Sequence, residues 1–185
     1  MLGDGYALLE TDDGLVVLEP RAAHMRVLYE SLLDAASAEA PPPAQRLLLP
    51  ESVELPPLDA ARVRARLAVF RSMGFGIEPL DGDAFLVDAL PTLLSGAPCR
   101  TLLADIASGM EEVGAKKGRE RPVEEAIARA AAQAAVRTRA RLDPAELRHL
   151  VQALARCRMP YTSPFGKPTV VLFSYRELSR KFGLS

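Results

Sequence analysis

Three side chains near the start of the chain, Glu19, His24 and Glu30, are of the types that hold a divalent cation. Carboxylates offer hard oxygen donors and imidazole a nitrogen donor, so the trio is able to gather a weakly bound metal ion. The plainer alternative makes Glu19 the end of a hairpin and puts His24 and Glu30, with Arg26, on the polar side of the following helix. We read them in that second way and assign no catalytic residue, no metal and no cofactor. His149, the other histidine, falls on the polar side of a later helix and reads as solvated, and Tyr161 reads as packing. Cys99 and Cys157 stand far apart and outside any CxxC spacing, which points to reduced, buried thiols.

Charge sets a further limit. With 23 basic and 24 acidic residues the net charge is -1, so no global positive field draws the chain to nucleic acid, and DNA contact is expected to be local and at most weak. Helical spacing spreads Arg62, Arg64, Arg66 and Arg71 around their helix. Arg137, Arg139 and Arg141 alternate beside a helix cap, and Lys116, Lys117, Arg119 and Arg121 read as a solvated connection. No apolar run approaches the roughly 18 residues of a membrane span, and no secretory signal is visible, so a cytoplasmic protein is expected. At 185 residues the chain is long enough to bury a core without disulfides or a metal.

Periodicity gives the elements that must position these residues. Tyr6 to Glu10 and Leu15 to Glu19 flank a turn and predict a hairpin. Ala22, Met25, Leu28, Tyr29, Leu32 and Leu33 then recur at helical spacing, up to a proline-rich stretch at 41–43. Leu47 to Leu49 and Val53 to Leu55 are short apolar runs. Asp59 is expected to cap a helix carrying Val63, Leu67 and Phe70 inward as far as Gly74. Phe75 to Pro79 and Ala84 to Asp88 predict a second hairpin, and Leu102, Leu103, Ile106 and Met110 a helix ending at Gly114. Pro122 opens a helix with a small-residue face. Asp143 with Glu146, and Ser174 with Glu177, have the spacing of capping boxes, the second following a strand over Thr169 to Phe173. The result is an α+β fold with no internal repeat.

In order along the chain, LVVLEPRAAHMRVLYE, QRLLLPESVEL, MGFGIEPLDGDAFLVDALPTLL, LDPAELRHLVQAL, PYTSPFGKPTVV and a closing ELSRKFG resemble segments of the C-terminal domain of the MutL mismatch-repair family. The resemblance covers nearly the whole chain. It implies a two-lobed domain, with a dimerisation lobe from residues 1–50 and 119–185 and an inserted, smaller α/β external or regulatory lobe at 51–118. It also implies a homodimer, other mismatch repair proteins as partners, and an ATP-hydrolysing domain that lies outside this chain, which would then be part of a larger protein. There, the domain would tether two ATPase arms at high effective concentration.

The same resemblance marks departures. Endonuclease members carry acidic, imidazole and thiolate ligands for a nicking cation. Where their motif has Asp, Gln and His this chain has Glu19, Pro20 and Arg21, with Met25 in place of the first Glu; Ala22 and Glu30 remain. The cysteine of A-C-R-x-A-[VI] is replaced by Ala132, and the Cys and His of C-P-H-G-R-P by Ser163 and Phe165, while Pro164, Gly166 and Pro168 keep the turn. Serine is a poor zinc ligand, and methionine and phenylalanine offer nothing to a hard metal. The expected function is therefore non-catalytic homodimerisation and partner docking in DNA mismatch repair, the alternative being a divergent metal-dependent nicking endonuclease. QRLLLP fits the Q-x-x-[LI]-x-P pattern that resembles sliding-clamp-binding peptides, with Gln45, Leu48 and Pro50 at its fixed positions. As a docking strand it offers an amide and an aliphatic anchor. As an ordinary sheet strand it would bury its leucines in the core.

Overall fold

The structure is a computed structural model that describes residues 5–38, 42–110, 122–137 and 142–184. These form seven α-helices and two three-stranded antiparallel sheets, an α+β arrangement. The chain divides into two compact units, residues 1–27 with 141–185 and residues 28–140. Among the described residues no helix is long and apolar enough to cross a membrane.

In the first unit, β1 (Ala7–Thr11) and β2 (Gly14–Leu18) are joined by Asp12 and Asp13, and β6 (Val170–Ser174) pairs with the other side of β2. Directly opposed residues share a face, so Ala7, Leu18 and Val170 make one row and Leu8, Val17 and Val171 make a row on the reverse face. The first row belongs to the core that Ala23 completes with Leu150 and Leu154 of α6 (Pro144–Ala155). On the reverse face Leu8 and Val171 are exposed. Asp143 and Glu146 form the expected capping box of α6, and Ser174 and Glu177 that of α7 (Tyr175–Lys181). The Ser174 hydroxyl and backbone N–H hold the Glu177 carboxyl below its ordinary range.

Helix α1 (Pro20–Ser37) begins in this unit and continues into the second. Its burial is not confined to one stripe. Ala22, Ala23, Leu28 and Leu32 are buried, and so are Arg26 at 6% and Glu30 at 7% exposure. The expected polar side is thus corrected at those two positions, because neighbours cover α1 on more than one side. Met25, Tyr29 and Leu33, expected inward, are half-buried.

The second unit carries β3 (Ala44–Glu54), β5 (Ala84–Pro91) and β4 (Gly76–Pro79), in the spatial order β3-β5-β4. Around the sheet lie α2 (Pro57–Arg64), α3 (Leu67–Ser72), α4 (Cys99–Gly109) and α5 (Pro122–Arg137). Phe70 and Phe75 pack edge to face with centroids 5.4 Å apart. The single helix expected after Asp59 is two helices broken at Ala65 and Arg66, and Asp59 is not its cap. Pro57 opens α2 and needs no capped N–H, which frees Asp59 to pair with Arg62 at 2.6 Å. Helix α4 stops at Gly109, closed by Met110; Gly114, Lys116, Lys117, Arg119, Arg121, Arg139 and Arg141 lie outside the described residues. Strand β3 runs across the lobe limit expected between residues 50 and 51.

Candidate functional site

Gln45, Leu48 and Pro50 lie on β3, an edge strand whose pairing with β5 is broken where the motif falls. Gln45 pairs with Leu90 and Arg46 with Ala89, and the ladder resumes at Glu51 opposite Val87. Residues 47–50 therefore stand opposite Asp88 alone, and four residues facing one must leave the plane of the sheet. Leu48 is fully exposed and Leu49 80% exposed, Gln45 and Pro50 are exposed, and Leu47 is half-buried. The reading that buries these leucines in the core is corrected for Leu48 and Leu49.

Both ends of the bulge are anchored. Before it, the Pro43 carbonyl accepts from the Thr92 backbone N–H at 3.1 Å and from the Thr92 hydroxyl at 2.8 Å. Beyond it, Val53 is wholly buried and Leu55 donates its N–H to the Asp83 carbonyl at 3.1 Å. The β4–β5 ladder slips at the same place, Gly76 pairing with Ala89 and Ile77 with Val87, so that Asp88 is the extra residue in that ladder too. Its carboxylate fills the space over Gly76, where an added Cβ would lie 2.0 Å from Oδ1. The thiol of Cys99, at the start of α4, is pushed above its ordinary value by burial and secondarily by the charge of Glu51, against a smaller backbone effect. Cys157, expected to be buried, is half-buried.

The positions matched to nicking-site ligands are occupied in other ways. Glu19 accepts from the Arg21 N–H at 3.0 Å through Oε1 and from the Ala22 N–H at 2.6 Å through Oε2, closing the N-terminus of α1. Pro20 is buried and Arg21 exposed. Ser163 is buried, and its hydroxyl accepts from the N–H groups of Phe165 at 3.3 Å and Lys167 at 3.1 Å, organising the turn that Gly166 and Pro168 share. Phe165 is exposed. Ala131, Ala132, Ala134, Ala135 and Val136 are buried along α5. These side chains fit a hard divalent cation poorly, since Ala132 and Phe165 bring no donor atom, Met25 brings only a soft thioether sulfur, and Glu19 and Ser163 already accept backbone N–H groups. Among the described residues no group of three or more His, Cys, Asp or Glu side chains is placed to hold a metal.

Two features near these positions escape pattern reading. Arg26 donates from Nε to the Thr162 carbonyl at 2.5 Å and so ties α1 to the turn containing Ser163. Its i, i+4 spacing to Glu30 puts both on one helix face, the one available signal that the pair would share a fate. Tyr161, expected to pack, is 72% exposed. His149 is exposed as expected.

A family model described as the MutL C-terminal dimerisation domain matches residues 1–142. The chain is 37% identical to the DNA mismatch repair protein MutL of Opitutus terrae, over 96% of this chain and 28% of that protein. It is 34% identical to that of Syntrophobacter fumaroxidans, over 98% and 26%, and 32% identical to that of Akkermansia muciniphila, over 97% and 28%. The chain thus spans little more than a quarter of the length of these relatives.

Proposed function

The chain belongs to the family of MutL C-terminal dimerisation domains, and from that premise we propose that it works in DNA mismatch repair without catalysis, pairing two subunits and docking the replicative sliding clamp. The observation that carries the docking is the β3 bulge, which holds Leu48 fully exposed between anchored ends. A clamp pocket that takes an aliphatic anchor meets one already extended, so little ordering cost remains. Gln45, two residues before the bulge, supplies the amide, and Pro50 fixes the exit of the segment.

Pairing is assigned to the reverse face of the first sheet, where Leu8 and Val171 are exposed beside Val17. A two-fold axis would place this patch against its own copy. In this reading residues 1–50 and 119–185 form the dimerisation lobe, 51–118 the external lobe, and the protein is cytoplasmic and contacts other mismatch repair proteins. The non-catalytic assignment rests on the poor fit of Glu19, Met25, Ala132, Ser163 and Phe165 to a nicking cation.

Titration of a bacterial sliding clamp with wild-type, Leu48→Ala and Gln45→Ala proteins tests the docking. Because Leu48 buries nothing, its truncation should leave stability within about 0.5 kcal/mol and weaken clamp binding by about 2 kcal/mol, roughly thirtyfold. Equal affinities, or no binding by the wild type, would remove the clamp from the assignment. Sedimentation equilibrium should give twice the 20.0 kDa chain mass, and a monomer at all concentrations would remove the dimer.

A further inference from the structure

Strand β5 pairs with β3 on one side and with β4 on the other, and the residue it leaves unpaired is the same in both ladders. That residue is Asp88. On the β3 side it stands between the Arg46–Ala89 and Glu51–Val87 pairs, and on the β4 side between Gly76–Ala89 and Ile77–Val87. A bulge bends the strand that carries it and raises its twist. Here β5 is bent at the one point where it supports the segment that holds Leu48 fully exposed.

That segment is an arch on two feet. From Arg46 to Glu51 the chain takes five steps, which extended would cover about 17 Å, whereas the feet at Ala89 and Val87 are two steps apart, about 7 Å. The excess must rise from the sheet, and its tilt follows from the spacing and angle of the feet. Asp88 is the only residue between them. Its own place is fixed from the far edge of the sheet. The carboxylate lies over Gly76, so close that an added Cβ there would be 2.0 Å from Oδ1 and 2.9 Å from the Ala89 Cβ. A gap left by a missing side chain on β4 is thus filled by a side chain from β5, and bringing Asp88 into line with either ladder would have to withdraw it.

We propose that Asp88, seated over Gly76, is the positioning residue of the docking arch, setting the feet from which Leu48 is presented. What the arch binds rests on the clamp reading above, whereas how it is held rests on the two ladders and Gly76 alone. Asp88 acts through the backbone of its neighbours and touches no partner, so the shape of its side chain matters and its charge does not. Gly76, on the strand furthest from the arch, belongs to the same device.

Clamp titration of the wild type, Asp88→Ala, Gly76→Ala and Asp88→Asn, with amide hydrogen exchange of each free protein followed by NMR, tests this. Asp88→Ala and Gly76→Ala should each weaken clamp binding about fivefold, although neither alters the motif. In the free proteins both should speed exchange at the feet, Arg46, Glu51, Val87 and Ala89, and leave the next row, Val53 and Phe85, as in the wild type. Asp88→Asn keeps the planar group and removes the charge, so it should match the wild type in both measurements. The proposal is overturned if exchange at the feet is unchanged in Asp88→Ala, or if it rises equally at Val53 and Phe85, which would make Asp88 a general stabilising residue. It is equally overturned if the feet loosen with no change in clamp affinity, or if Asp88→Asn binds as weakly as Asp88→Ala, which would make the charge a direct contact. A wild type that fails to bind the clamp removes the docking reading instead, and exchange at the feet then decides alone whether Asp88 holds the arch.

Discussion

Alanine at position 76 tests whether Asp88 packs against β4 as described. An added methyl carbon would lie 2.0 Å from Asp88 Oδ1, 2.9 Å from the Ala89 Cβ and 3.0 Å from the Ala89 amide nitrogen. All three are well inside the ~3.5–4.0 Å optimum for non-bonded heavy atoms. The carboxylate can swing away, at about 0.5–1.5 kcal/mol if it leaves its rotamer. The Ala89 contacts belong to a ladder and move only with the strand, so overpacking of about 1–3 kcal/mol is expected in total. The two parts separate in an Asp88→Ala background, where the shortest contact no longer exists and Gly76→Ala should cost about 1 kcal/mol less. Urea unfolding of the four proteins measures this, at one protein concentration, because the apparent stability of a dimer depends on it. A Gly76→Ala protein within about 0.5 kcal/mol of wild type, or the same cost in both backgrounds, would refute the placement of the carboxylate over Gly76.

Ser163→Ala removes the acceptor shared by the Phe165 and Lys167 N–H groups and should lower stability by about 1 kcal/mol in thermal unfolding, less if water replaces the hydroxyl. Iodoacetamide should alkylate half-buried Cys157 before Cys99, whose thiol is buried and pushed up in pKa, as peptide mass mapping over time would show. The Tyr175 hydroxyl donates to Glu10 Oε1 at 2.8 Å, and that bond first, then desolvation and the Glu10 charge, raises its pKa. The stabilisation is thus complete below the ordinary tyrosine pKa and disappears as pH rises through the raised value; Glu10→Gln should bring the Tyr175 ring titration, followed by NMR, back down.

How much the sequence discloses depends on how local the cause is. Capping boxes at Asp143 with Glu146 and at Ser174 with Glu177 need a few adjacent residues, and both form where their spacing indicates. The hairpins also lie within a residue of their predicted limits, since turn residues and alternation specify them, except that β5 runs three residues past Asp88 to Pro91. The bulge at residues 47–50 is different in kind. Register depends on which residue of β5 is opposite, and nothing within QRLLLP announces that Asp88 alone will face it. Burial of Arg26 and Glu30 was hidden for a related reason: helical periodicity reports one apolar stripe, and α1 is covered on more than one side. Asp59 has the side chain of a good cap but lies two residues inside a helix that Pro57 opens without one.

A chemically plausible set such as Glu19, His24 and Glu30 shows why residue type is weaker evidence than residue engagement. Glu19 has the right atoms for a cation, yet both oxygens accept N–H groups at the start of α1. Recruiting it to a metal would give up a capping interaction worth about 0.5–2 kcal/mol, and Ala132 and Phe165, with no donor atom, and Met25, with only a soft sulfur, do not offset that loss. Leu48 presents the opposite case. Its aliphatic side chain does no work in this fold, being fully exposed on a segment anchored at Pro43 and Val53, and its truncation leaves the core intact. A contribution from Leu48 therefore has to come from outside the folded chain, which is why clamp binding and stability should separate cleanly at this residue and not at Glu19.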